Sequence, residues 1–201
     1  MVYQEKLGRI HLQNRQEKHK MIRLTKIAIL TIAIIVCLSV THGQTTSESP
    51  ALLRSEVEFL VGSFTTVTNI PPSSSMPKGA TGKGTAVISW ALDSMFLSIE
   101  NENVNSILGH YKGHGMLGYD AQMHQFVLSM FNNFGDHPTY HGNFVGDTLV
   151  LQTKVEMPKH PFDQKLLWYK DGKAVKLKVL NDFGKGFILA LEETGTPSRK
   201  R

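Results

Sequence analysis

Residues 108 to 144 limit the possible folds more than any other stretch. Leu108-Gly109-His110-Tyr111-Lys112-Gly113-His114-Gly115-Met116-Leu117-Gly118-Tyr119-Asp120 is followed by a short turn and then by His124-Gln125-Phe126-Val127-Leu128-Ser129-Met130-Phe131. Beyond a glycine and a proline, Thr139-Tyr140-His141-Gly142-Asn143-Phe144 starts a third run. The pattern reads as three extended segments joined by tight turns. Glycine inside such runs permits sharp bending and close approach of neighbouring backbones.

The flanking chain repeats the pattern. Phe64 to Ile70 is rich in Thr and Val, as strands are. From Lys83 to Leu92 the residues alternate, with Ala86, Ile88, Trp90 and Leu92 on one face, and Met95, Leu97 and Ile99 continue after an Asp93-Ser94 turn. Phe126, Leu128 and Met130 share a face, as do Leu149, Leu151, Thr153 and Val155. Gly146-Asp147 and Asp171-Gly172 are hairpin signals. Gly184-Lys185-Gly186 turns the chain into Phe187, Leu189 and Leu191. Helical spacing occurs only near the start, where Ser49-Pro50 precedes Leu52, Leu53, Val57, Leu60 and Val61. The expectation is an all-β domain over residues 50–193, an antiparallel up-and-down lipocalin-like barrel with one short helix around Ala51 to Leu60. Closure would remove exposed strand edges. The Gly79–Gly84 stretch reads as a flexible loop, and residues 194–201 as a disordered basic tail.

The first 43 residues follow a different logic. Lys20, Arg23 and Lys26 precede the apolar run from Ile27 to Val40, and Thr41-His42-Gly43 leads into polar Gln44-Thr45. This is the order of a secretory signal peptide. The expectation is export to a periplasmic or extracellular space, with cleavage near Gly43-Gln44 and a linker over 44–49. A membrane span needs about 20 apolar residues, so the run is short for an anchor. Anchoring through residues 27–40 is the alternative. Met21 competes with Met1 as the start, because it would give a leader of ordinary length. Cys37, the chain's one cysteine, follows Val36 rather than a small residue, which argues against lipidation. Seven of the 22 Lys+Arg and two of the 17 Asp+Glu lie in residues 1–43, which therefore carry the whole net charge of +5. The remaining 15 basic and 15 acidic residues cancel. The basic balance is thus no argument for nucleic acid binding.

Leu60-Val61-Gly62-Ser63-Phe64, Gly115-Met116-Leu117-Gly118-Tyr119-Asp120 and Tyr140-His141-Gly142-Asn143-Phe144 together resemble a bacterial domain-of-unknown-function family with a calycin (lipocalin-like) barrel. The resemblance spans roughly residues 50 to 193 and departs at Phe64, where that family usually carries tryptophan. It implies a barrel of about eight to ten strands and no particular activity.

No catalytic or cofactor signature stands out. Ser129 lies in a strand, and Ser94 and Ser106 lack the glycines of a nucleophile elbow. Glu100, Glu102 and Asp120 read as surface or turn carboxylates. His110/His114 and His137/His141 have i, i+4 spacing, which on a helix would suit a metal. On a strand the two members lie about 13 Å apart, so His110, His114 and His141 are weak metal candidates. The leading expectation is a non-enzymatic barrel, without cofactor, that holds a small apolar or amphipathic ligand through Trp90, Met130 and Tyr140. Two alternatives stand beside it. One is a metal- or haem-binding protein or enzyme using the histidine-rich strands. The other is a structural or partner-binding domain with a filled interior.

Overall fold

The computed structural model describes residues 55–73, 76–105, 109–157 and 160–198. The expected leader and linker, the Ser49-Pro50 helix start, residues 51–54 and the last residues of the expected tail lie outside this set.

The chain enters through a short helical segment, residues 55–60, whose last part is a 3-10 turn at Glu58–Leu60. Ten strands follow: β1 (Gly62–Ile70), β2 (Ala80–Ala91), β3 (Phe96–Asn105), β4 (Gly109–Asp120), β5 (Gln125–Asn132), β6 (Thr139–Val145), β7 (Thr148–Val155), β8 (Phe162–Asp171), β9 (Ala174–Asp182) and β10 (Ile188–Pro197). Each strand pairs antiparallel with the next, and β1 pairs with β10 to close the barrel. The up-and-down barrel expected from the period-two alternation is therefore the fold.

The alternation fixes which side chains face inward. Along β1, Phe64, Thr66, Thr68 and Ile70 are buried and the residues between them exposed. The apolar core joins Phe64, Ile88, Leu97, Leu117, Phe126, Leu128, Leu149, Leu151, Leu166 and Trp168 across the barrel. Val57 and Leu60, three apart on the short helix, are both fully buried and plug one end. The connections at this end are tight: 92–95, 121–124, 146–147 and 172–173. At the other end four of the five connections are longer, 71–79, 133–138, 156–161 and 183–187, and the fifth, 106–108, is short. The closed barrel thus carries the short helix at one end and most of its longer connections at the other.

Local chemistry explains the hairpins and three departures from expectation. Gly146 (φ 59°) and Gly172 (φ 60°) each occupy the first of two loop positions, where a type II′ hairpin needs positive φ. The second loop is therefore Gly172-Lys173, one residue later than expected. Met95 belongs to a turn, its N–H donating to the Leu92 carbonyl at 3.0 Å, and β3 begins at Phe96. Met95 and Leu92 are accordingly exposed rather than inward. The domain also extends past residue 193. Thr194 pairs with Val67, Thr196 with Thr65 and Pro197 with Phe64, so this part of the expected tail is the closing strand.

Gly79–Gly84 is the third departure. From Ala80 onward it is strand, paired with β1 and β3. A Cβ on Gly84 would overlap the Glu102 carbonyl oxygen and come within 2.8 Å of the Asn103 Cα. One on Gly82 would overlap the Asn103 amide oxygen. Glycine is required here because the strand backbones and the Asn103 side chain occupy the space.

Candidate functional site

The interior changes character along the barrel axis. Next to the helix it is hydrocarbon. Further along, the inward positions of β1 and β3 turn polar: Thr66 and Thr68 follow Phe64, while Asn101, Asn103 and Asn105 follow Leu97 and Ile99. Because Gly82 and Gly84 leave the inner face of β2 bare, the Asn103 amide reaches across it. Its Nδ2 donates to the Thr68 hydroxyl at 2.7 Å. That hydroxyl donates to Glu193 Oε2 at 3.1 Å, and Asn101 Nδ2 donates to Glu193 Oε1 at 3.1 Å. A relay of donors from β1 and β3 thus converges on one carboxylate of β10.

Glu193 is partly buried. Enclosure of the carboxyl pushes its pKa above the ordinary 4.5, against the lowering effect of the bonds from Thr68 and Asn101. The described ion pairs join Glu102 to His110 and Lys112, Glu100 to His114, Lys154 to Glu156 and Lys176 to Glu192. Among the described residues, then, no cation lies within ion-pair distance of Glu193. Three buried polar atoms nearby, Thr66 Oγ1, Asn101 Oδ1 and Asn103 Oδ1, have no hydrogen-bond partner. A buried polar group left so is expensive, and native structures keep few of them.

Glu193, Asn101 and Thr66 border a cavity whose other walls include Phe64, Ile88 and Trp168. Its enclosed volume is about 40 Å³, room for a few water-sized groups and well below the roughly 300 to 1,000 Å³ of ordinary ligand pockets. It therefore suits a small head group whose body lies towards the open side and not a long lipid chain.

The residues singled out in the sequence lie elsewhere. Trp90 packs against the edge of the core, and its indole N–H donates to Glu58 Oε2 of the short helix at 3.2 Å. Met130 is also partly buried at the core edge, with its sulfur where a side chain on Gly115 would go. Tyr140 points inward and is 5% exposed, and its hydroxyl donates to Gln164 Oε1 at 2.5 Å. Gln164 in turn donates to Asn181 at 2.9 Å. Burial holds the Tyr140 hydroxyl well above its ordinary pKa of 10.0, so it is protonated at neutral pH. None of the three borders the cavity.

The histidines lie on the outer wall. His110 and His114 of β4 are exposed and each meets its own carboxylate on β3, His110 contacting Glu102 and His114 Nδ1 lying 2.5 Å from Glu100 Oε1. The His110 ring and the Lys112 ammonium hold the Glu102 carboxyl below its ordinary value of 4.5. His141, on the outer face of β6, lies 3.3 Å from Gln125 Nε2. Among the described residues, no three His, Cys, Asp or Glu gather as a metal site would require.

Sequence reasoning missed Thr66, Asn101 and Glu193, and it placed Trp168 in the apolar interior without assigning it to a site. The signal was present as phase. Thr66 and Asn101 each continue an apolar alternation inward, where hydrocarbon would be the default.

No protein family matches the chain, and no curated protein matches it.

Proposed function

We propose that this protein is an exported, non-enzymatic barrel that binds one small amphipathic molecule inside its cup. The observation behind this reading is the cavity itself, apolar along Phe64, Ile88 and Trp168, polar at Glu193 and Asn101, and bordered by buried polar atoms without partners. A filled structural barrel gains nothing from such atoms. A binding barrel does, because the ligand satisfies them. Export rests on the basic flank and the apolar run from Ile27 to Val40. The lipocalin-like resemblance agrees with a cup-shaped binding domain.

Burial of apolar ligand surface gains about 25 cal/mol per Å², less the cost of association, so roughly micromolar affinity is expected. The chain has two tryptophans, and only Trp168 borders the cavity. In a Trp90→Phe background, Trp168 fluorescence therefore reports occupancy. A saturable shift on titration with small amphipathic molecules, together with a small organic molecule retained in native mass spectrometry, is the expected result. An unresponsive Trp168 and a protein that carries and captures nothing would leave the filled structural barrel as the better account. N-terminal sequencing of the exported form checks the leader: a mature chain still beginning at Met1 or Met21 would refute cleavage near Gly43.

A further inference from the structure

We propose, resting on the small-ligand reading above, that the polar end of the ligand is a protonated amine, held by Glu193, Asn101 and Thr66 with its apolar body against Trp168 and Phe64.

The argument is an inventory of donors and acceptors. The two donors aimed at Glu193, Asn101 Nδ2 and the Thr68 hydroxyl, are already spent on it. The amide orientation of Asn101 follows from this, because an ionised carboxylate can only accept. Its Oδ1 is therefore an acceptor, and it has no partner. The Thr66 hydroxyl, 1% exposed and also unpartnered, has lone pairs free. What the cavity offers a ligand is thus mainly acceptors and negative charge, with the Thr66 O–H as its one free donor. A primary ammonium carries three N–H donors and one positive charge, which matches in number and sign. An alcohol supplies one donor and no charge. A carboxylate or phosphate would bring a second anion against Glu193, and like charges in an enclosed site repel strongly. The tryptophan and phenylalanine walls suit an aryl or short alkyl body, and aromatic rings tolerate a neighbouring cation well.

The test compares three ligands with nearly the same body: phenethylamine, 2-phenylethanol and 3-phenylpropionate, titrated calorimetrically into the full-length protein and its Glu193→Gln variant. Phenethylamine should bind about ten- to a hundredfold more tightly than the alcohol, as charge-assisted hydrogen bonds require, and the carboxylate most weakly. In Glu193→Gln the preference for the amine should vanish while the alcohol binds as before, which also shows that the variant is folded. Equal binding of amine and alcohol, or an amine preference that survives Glu193→Gln, overturns the amine assignment and leaves the small-ligand reading standing. Failure of all three to bind overturns both.

Discussion

Beside the helix, Val57, Leu60, Leu97, Leu117, Leu128, Leu149 and Leu151 are all fully buried and carry no polar side-chain atom. Between Thr66 and Glu193, in the same barrel and on some of the same strands, buried hydroxyl and amide oxygens stand without partners. Strands pair antiparallel in both regions, so the difference lies chiefly in the inward side chains. The first region contributes stability through close packing. The second gives up stability in the empty protein. That division fits the binding role proposed above: a packed floor that holds the strands in register, and a chamber whose unpartnered polar atoms a ligand would satisfy.

Removing bulk from the floor should have the largest effect. Phe126 is 1% exposed and stacks edge-on against Tyr119 and Phe144 at 5.2 and 5.5 Å. Phe126→Ala is expected to cost about 3–5 kcal/mol in urea unfolding. A loss under about 1 kcal/mol would show that the floor is loosely packed. Gly84→Ala tests the boundary between the regions, since its methyl would strike the Glu102 carbonyl. The expected loss is about 1–3 kcal/mol, with lowered ligand affinity as Asn103 is displaced. By contrast, Thr66→Val should hold or raise stability, by up to about 1 kcal/mol, because it removes an unpartnered buried hydroxyl at constant shape. The same change should weaken amine binding. A clear destabilisation would mean that the Thr66 hydroxyl is already satisfied.

Glu193 supplies a subtler contrast. Its folded-state pKa is raised, so the folded chain holds the proton more tightly than the unfolded one. The resulting contribution to stability is fully present below the ordinary carboxylate value of 4.5 and is lost as pH rises through the raised value. Glu193→Gln should therefore flatten the melting temperature against pH across that window and raise it at neutral pH relative to wild type. An unchanged profile would contradict the enclosure of this carboxylate. The smallest effect belongs to the outer wall. His114→Ala removes an exposed partner of Glu100 and should alter stability by less than about 0.5 kcal/mol.

The architecture was legible because alternation is a physical requirement of a wall with one wet and one dry face. Leu97 and Ile99 announced the inward phase of β3, and the same phase carries on to Asn101 and Asn103. The site was overlooked because polar residues in strand phase invite assignment to the surface, as they did correctly for Glu100 and Glu102. Attention went instead to large aromatic residues. Trp90 and Tyr140 do face inward, but Glu58 and Gln164 already occupy their polar atoms, and no sequence pattern shows such pairings. The reading of β10 was obscured by a bulge between Leu189 and Leu191, which resets the register before Glu193. Gly82 and Gly84 resembled a loop because the space they leave is filled by Asn103 from a different strand.

Nearly all of the wall is sewn by neighbouring hairpins, which a growing chain can form in sequence. The seam between β1 and β10 is the exception, for Thr68 and Glu193 lie 125 residues apart. Joining distant segments of chain is the entropically slow part of folding. The carboxylate of the chamber therefore meets Thr68 only when the last strand docks against the first. A guest bound to both Thr66 and Glu193 would act as a clasp across that seam. It should slow the parting of β10 from β1 more than any other local opening, and hydrogen exchange along residues 192–196 would time the clasp directly.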